Sequence, residues 1–386
     1  MVRAGDGEKE VSNATSLFTD FDRRMMRQAL ALAERGRYTT HPNPRVGCVI
    51  VQEERIVGEG WHRKWGEPHA EPLALDAAGA AAQGSTVYVT LEPHSYQSRT
   101  PPCTAALIRA GVRRVICGML DPNPRVHGDG VRLLREAGIQ VDEGLLEDEA
   151  RALNAGFEKR MKTGMPRVIV KIAASLDGRV ALANGESRWI TGVAARADVH
   201  RLRAEVSAVM TGIDTVLADD PQLNVRDAGI ELLGRQPLLA VLDSKLRMPA
   251  AARMVSQSGE TLVFTGGDCL SRTASLQAKG VEVVGVALDT TGRLELVEVL
   301  RELGRRMCND VLVEAGPTLA GRFIETGLAD EVLVYLAPLV LGSDARPMLQ
   351  MPALQRLADA PRFRLQQAEQ VGHDLKLRYV PNHQPQ

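Results

Sequence analysis

Aromatic residues make up only 4% of the chain, and its basic and acidic residues cancel, at 47 against 48. A single-stranded nucleic acid needs stacking surfaces, and any nucleic acid or anionic membrane needs a positive field, so neither class of partner is expected. No apolar run approaches the roughly 18 residues that a membrane span requires. The opening MVRAGDGEKEVSNATSLF lacks the basic start and apolar block of a secretory signal, and residues 1–18 are expected to be a disordered extension. Cysteine is sparse, with five residues scattered at positions 48, 103, 117, 269 and 308. An odd, uneven set makes a poor disulfide framework and suits a reducing, cytoplasmic setting.

What is present is folded-protein material, 44% apolar and 25% charged over 386 positions, enough for two or three domains. An apolar face of Met25, Met26, Ala29, Leu30 and Leu32 predicts a helix from Asp20 through Glu34. HPNPRVGCVIVQEERIVGEGWH reads as a loop and two strands, and AEPLALDAAGAAAQG as one helix closing on Gly84. Pro72 is tolerated in that helix's first turn, where a missing N–H loses no partner. STVYVTLEP, CTAALIRAG, VRRVICGML and GVRLLREAG then alternate strand and helix, which implies a three-layer α/β domain. EDEARALNAGFEKRMKTG is expected to be a single helix ending at Gly-Met-Pro, where the boundary is set between domains of residues 19–164 and 165–382. The second domain opens with the strand pair RVIVKIAASLDGRVA and the helix GVAARADVHRLRAEVSAV. It continues with strands PLLAVLDS, TLVFTGG and VEVVGVAL and closes on strand-rich segments free to lie antiparallel.

Two constellations carry chemistry. His69-Ala70-Glu71 opens a helix directly after Pro68. In a zinc deaminase, H-x-E sets a proton-shuttling carboxylate beside a metal ligand, and further ligands come from a second helix start after a strand ending in Glu-Pro. VTLEPH and PPCTAALI supply that frame, with Cys103 at a helix N-terminus whose dipole favours a thiolate. The usual Pro-Cys-x-x-Cys is absent: position 94 is histidine, and eight residues separate it from Cys103. Either His94 completes a donor set with His69 and Cys103, or the metal site has lapsed and the domain remains for packing. In the second constellation, DVLVEAGPTLAGRF places Gly316 and Thr318 between a strand and a helix. Free N–H groups there suit a dinucleotide phosphate or simply make a tight turn, and the G-x-G-x-x-G fingerprint is not present.

HPNPRVGCVI, GEPHAE, YVTLEP, EPHSYQSRTPPC and DPNPRVHGDG all occur, and with them the chain resembles, from about Asp20 to about Val380, the bifunctional deaminase–reductases of bacterial riboflavin biosynthesis. The resemblance implies an α/β protein with a cytidine-deaminase-like domain followed by a dihydrofolate-reductase-like one. It implies hydrolytic deamination of 2,5-diamino-6-(5-phosphoribosylamino)pyrimidin-4(3H)-one, with one zinc per chain and Glu71 as the catalytic proton relay. NADPH-dependent reduction of the ribosyl side chain to ribityl would follow. The family has cysteine where this chain has His94, and usually His-Gly where it has Gln97-Ser98. Imidazole is an ordinary zinc ligand, and the lost negative charge leaves the metal a stronger Lewis acid.

The same resemblance nominates Asn43 and His62 to read the pyrimidine, and Arg99 with Thr100 to take a phosphate. A plain Asn-Pro turn and a strand-end histidine are the bland readings of the first two. KIAASLDGRVA, GESRWITG, VLADDPQLNVR and VEAGPTLAG carry the likeness through the second domain. By that likeness Ala173, Trp189, Thr215, Asp219, Ser244, Gly316, Pro317 and Thr318 line the cofactor site. Lys171, Ser187, Arg203, Leu223, Arg226 and Glu314 face the substrate. Trp189 equally suits a packing anchor, Asp219 a turn before Pro221, and Leu223 the core. The expected partner is a small molecule, in a homo-oligomer. The competing readings are a reductase with a relic deaminase, a deaminase of nucleic-acid bases, and a non-catalytic nucleotide sensor.

Overall fold

The computed structural model describes residues 18–97, 100–256 and 259–382. Most of the expected N-terminal extension, and Arg99, lie outside the described residues.

Cys48 and Ile50 on one face of β1 (Gly47–Gln52), and Val49 and Val51 on the other, are all buried. A strand apolar on both faces needs cover above and below. β1 pairs antiparallel with β2 (Arg55–Trp61) and β3 (Thr86–Val89), and β4 (Arg114–Cys117) and β5 (Gln140–Glu143) continue in parallel. The order is β2-β1-β3-β4-β5. On one face lies α1 (Asp20–Glu34), through Met26, Ala29 and Leu32. On the other lie α2 (Ala70–Ala78), α3 (Cys103–Arg109) and α4 (Asp129–Glu136), through Ala74, Leu107 and Leu134. Thr19 and Asp22 form a capping box that starts α1. Buried Asp22 also accepts a 2.7 Å hydrogen bond from the Tyr88 hydroxyl and pairs with Arg114, which pins α1 to the sheet.

Helices α5 (Glu147–Leu153) and α6 (Ala155–Thr163) lead into a second sheet. Its chain order runs β6 (Arg167–Ser175), the short β7 (Arg179–Ala181), β8 (Ala208–Gly212), β9 (Leu238–Leu242), β10 (Thr261–Gly266) and β11 (Glu282–Val286). Then come β12 (Asp310–Glu314), β13 (Glu331–Ala337), the short β14 (Arg346–Pro347), β15 (Phe363–Val371) and β16 (Asp374–Pro381). The spatial order is β11-β10-β9-β8-β12-β6-β13-β16-β15, while β7 and β14 pair apart. The strands are parallel through β13, and the closing β16 and β15 run antiparallel, the option the sequence left open. One face packs on α7 (Val193–Glu205), α8 (Ile213–Asp219) and the single turn α9 (Ala274–Gln277). The opposite face packs on α10 (Leu296–Arg305) and α11 (Pro317–Glu325), with Phe264 and Phe323 fully buried between them.

Several elements differ from expectation. The helix expected to reach Gly84 stops at Ala78, because Gly79 turns left-handed at φ 54°. The helix expected over 147–164 breaks at Asn154, whose amide exchanges hydrogen bonds of 2.8 and 2.9 Å with the backbone of Arg45. The helix expected through Val209 ends at Glu205, and its last residues begin β8 instead. Strand β5 and helices α8 and α10 were not foreseen. No helix among the described residues is long and apolar enough to cross a membrane.

Gly60 lets α2 lie against β2: a Cβ there would stand 2.3 Å from the Ala70 carbonyl oxygen. Gly60→Ala is therefore expected to cost about 1–3 kcal/mol of overpacking. Urea unfolding followed through Trp61 and Trp65 fluorescence checks this, and an unchanged midpoint would refute it.

Candidate active sites

His69 is the N-cap of α2 in extended backbone (φ −72°, ψ 176°), and Glu71 follows in the first helical turn. Cys103 is the first residue of α3. The carbonyl of His94 accepts from the Thr104 N–H at 3.2 Å and from its hydroxyl at 3.4 Å, which folds the inserted segment back onto that helix start. The donor atoms of His69, His94 and Cys103 consequently lie within 4.8 Å of one another. His69 Nδ1 stands 3.3 Å from Cys103 Sγ, and the two imidazole centroids are 5.4 Å apart. His94 therefore faces inward, toward the other two donors.

Burial pulls the His69 imidazole down to about 4, with His62 and His94 adding to the effect, and burial with nearby Arg125 lowers His94. Both rings are thus neutral near pH 7, the ligand form of histidine. Burial, then neighbouring Glu71, pushes the Cys103 thiol well above its ordinary range. Burial thereby outweighs the helix dipole, which was expected to favour the thiolate, and a dication is what would reverse it. Burial also raises the Glu71 carboxyl to about 7. Among the described residues, the buried Nδ1 of His94 and Oε2 of Glu71 have no hydrogen-bond partner. Unsatisfied buried polar atoms are costly, and here they belong to a ligand-type ring and to the carboxyl beside it. The donor set fits a zinc ion.

This centre opens into a cavity of about 250 Å³ that Asn43, His62, Thr100, Asp121 and Asn123 also line. Asn43 Nδ2 is 3.0 Å from His62 Nε2, and His62 Nδ1 is 3.1 Å from the Pro68 carbonyl, so the ring donates to Pro68 and accepts from Asn43. Thr100 Oγ1 is 3.4 Å from His69 Nε2. Asp121, its carboxyl raised to about 7 by burial, and Asn123 went unnoticed in the sequence, although DPNPRVHGDG marked the segment. Glu92 builds that turn: its carboxylate accepts four backbone N–H bonds, from Asp121, Gly128, Gly130 and Val131, at 2.9–3.2 Å.

In the second sheet, Glu314 ends β12 and takes a bidentate pair from Arg203 of α7, at 2.5 and 3.0 Å. Lys171 of β6 stands 3.6 Å from the same carboxylate. Burial alone would raise Glu314, but Arg203 and Lys171 outweigh it and hold the carboxyl at about 2. Arg226 bonds Asn224 at 2.8 Å, and the Asn224 carbonyl takes Arg203 at 3.3 Å, so the four charged residues expected to face the substrate join one network. His200, whose Nδ1 accepts from the Arg226 N–H at 3.4 Å, belongs to it and was not anticipated. Ser187 is half-buried and outside this network. Leu223 packs in the core with a left-handed backbone at φ 57°.

Of the expected cofactor residues, Gly316 caps α11, Pro317 occupies its first turn, and the Gly316 N–H donates to Thr215 Oγ1 at 3.3 Å. The Thr318 hydroxyl is committed to Gln350 at 3.0 Å. Ala173 sits on β6 opposite Tyr335, and the Ser244 carbonyl accepts from the Gly266 N–H at 3.2 Å. Asp219 ends α8, where its carbonyl accepts from Arg188 at 2.7 Å. Trp189 is 68% exposed beneath the Arg196 guanidinium, so it is no packing anchor.

Fold and site together define a cytidine-deaminase-like domain joined to a dihydrofolate-reductase-like one. Residues 19–119 match the cytidine and deoxycytidylate deaminase zinc-binding region, and residues 166–377 match the RibD C-terminal domain. The chain is 50% identical to the Escherichia coli riboflavin biosynthesis protein RibD over 93% of its own length and 99% of that protein's. An Acinetobacter baumannii RibD structure superposes at TM-score 0.87 with 44% identity, covering 94% of this chain and 99% of that one. A Thermotoga maritima diaminohydroxyphosphoribosylaminopyrimidine deaminase/5-amino-6-(5-phosphoribosylamino)uracil reductase superposes at 0.82 with 32% identity and the same coverage. The chain belongs to the RibD family of bifunctional riboflavin biosynthesis enzymes, and nothing favours a reductase alone.

Two outcomes follow from the geometry. His94→Ala should weaken zinc binding by more than the roughly 10–100-fold typical of losing an outer partner, while His94→Cys retains it. Metal analysis after dialysis against a zinc buffer decides, and equal zinc in all three proteins removes His94 from the coordination shell. Glu314, held at about 2 against an ordinary 4.5, contributes stability that is present above the ordinary value and lost as pH falls toward 2. Glu314→Gln should flatten that part of the stability curve in acid titrations of unfolding.

Proposed function

We propose that the chain converts 2,5-diamino-6-(5-phosphoribosylamino)pyrimidin-4(3H)-one in two steps, deamination by residues 19–164 and reduction by residues 165–382. The observation that carries the first step is the convergence of His69, His94 and Cys103 beside Glu71. Held by those three donors, zinc supplies the Lewis acidity that makes a water acidic near neutral pH. Glu71 takes the proton from the attacking water and hands it to the amine that leaves as ammonia. Its buried position and a carboxyl poised near 7 suit a group that must both accept and release a proton. Asn43, held by His62, presents an amide to the pyrimidine edge, and Thr100, which lines the cavity, receives the phosphate. Arg99, the other residue expected there, lies outside the described residues.

For the second step NADPH supplies the hydride, and the chain supplies placement. Gly316 and Pro317 at the start of α11, with Thr215, form the phosphate end of the cofactor site. Thr318 is left as a lining residue with its hydroxyl already bonded. Trp189, Asp219, Ser244 and Ala173 complete that site. Lys171, Arg203, Arg226 and Glu314 receive the sugar phosphate, with Ser187 and the Leu223 backbone beside them. A homo-oligomer is supported by β15, an exposed nine-residue edge strand bearing Leu365. A cytoplasmic setting is supported by five unpaired, buried cysteines.

Glu71→Gln tests the reading. Ammonia release should fall by at least about 100-fold, as expected for a lost proton relay. Zinc content and NADPH oxidation with the deaminated substrate should stay unchanged. Substantial residual ammonia release shows that another group moves the proton.

A further inference from the structure

The segment 38–45 touches both domains. On one side Asn43 lines the cavity beside Glu71, and every described residue lining that cavity precedes position 158. On the other side the segment is gripped by residues that precede strands of the second sheet. Ser207, just before β8, has its Oγ 2.9 Å from His41 Nδ1. That oxygen already accepts the backbone N–H groups of Asn309 and Asp310, at 2.7 and 3.2 Å, so its own proton goes to the imidazole. Asn309, just before β12, donates its side-chain N–H to the Pro42 carbonyl at 3.0 Å, and its amide oxygen takes Arg160 at 2.6 Å. Arg235 ties the Tyr38 carbonyl to that of Ala204, at 3.0 and 2.7 Å. His41 is half-buried, and desolvation with Arg235 and Arg160 nearby pulls its ring down to about 3, so it stays neutral and accepts the serine proton.

We propose that Ser207 and Asn309 are positioning residues for deamination, fixing residues 41–42 so that the amide of Asn43 meets the pyrimidine. The inference rests on the reading of that cavity as the deaminase site. It assigns to the second domain a role in the first reaction, although among the described residues none of that domain lines the cavity. The grip also stands apart from the reductase chemistry. Asn309 precedes β12 and Glu314 ends it, about 16 Å away at the usual strand rise.

The test uses the full zinc-loaded chain with Ser207→Ala and Asn309→Ala. Ser207→Ala removes the bond to His41 together with those from the Asn309 and Asp310 N–H groups, and Asn309→Ala removes the bond to Pro42 and the one from Arg160. The KM for deamination should rise at least about 3- to 10-fold, with kcat less affected. NADPH-dependent reduction of the deaminated substrate and zinc content should not change. Amide exchange over residues 41–46 should quicken. The double change His41→Ala with Ser207→Ala should raise KM no further than the larger single change, because both break the same contact. An unchanged deamination KM despite faster exchange overturns the proposal, as does a parallel fall of both activities. Should the unsubstituted chain carry zinc yet release no ammonia, the deaminase reading itself fails. In that case, unchanged amide exchange in Ser207→Ala is what overturns the grip.

Discussion

Two imidazoles, a thiol and a carboxyl share one buried point, and much of the first domain is arranged to keep them there. Sealing polar groups from water costs free energy unless something inside satisfies them. Here two of those atoms find no partner among the described residues, and burial keeps the thiol protonated. A dication held by His69, His94 and Cys103 would offset these costs together, by taking both imidazole lone pairs, stabilising the thiolate and polarising the space beside Glu71. The scaffold around the point is rigid for the same reason. Helix α2 lies close on Gly60, His94 is tied to the start of α3, and Glu92 binds the Asp121 turn through four amides.

The second sheet divides its labour along the strand direction. At the C-terminal end of β12, midway along β6 and on α7 lie Glu314, Lys171 and Arg203, a buried charge cluster that is stable because each sign is paired. At the N-terminal ends of β8 and β12 lie Ser207 and Asn309, which hold the first domain. Parallel strands make this possible, because all their carboxyl ends open on one side and all their amino ends on the other. The charge cluster and the hold on the first domain thereby lie at different levels of one sheet.

Most of the fold was legible in the residues. The 3.6-residue apolar face of α1 and the short apolar runs of β1, β3, β6 and β12 report their own burial. The misses have local causes. Gly79 takes a left-handed turn that an alanine-rich stretch does not announce. Asn154 breaks a helical pattern because its amide finds a partner at Arg45, 109 positions away, and no pattern window contains both. The short β5 is half-exposed and polar, so its strand character comes from pairing with β4 rather than from composition.

The amino-acid order by itself determined the kinds of element, their succession, and the chemistry of the candidate ligands, because periodicity and residue type are local properties. It left open whether His94 serves the metal site or marks its loss. Folding brings the candidates together: the hydrogen bonds from Thr104 to the His94 carbonyl turn the inserted segment back, and the three donor atoms meet. The protonation of Cys103, the ion network about Glu314 and the hold of Ser207 on His41 were likewise settled in three dimensions. Desolvation and charge pairing depend on which atoms surround a group, and those atoms come from distant parts of the chain.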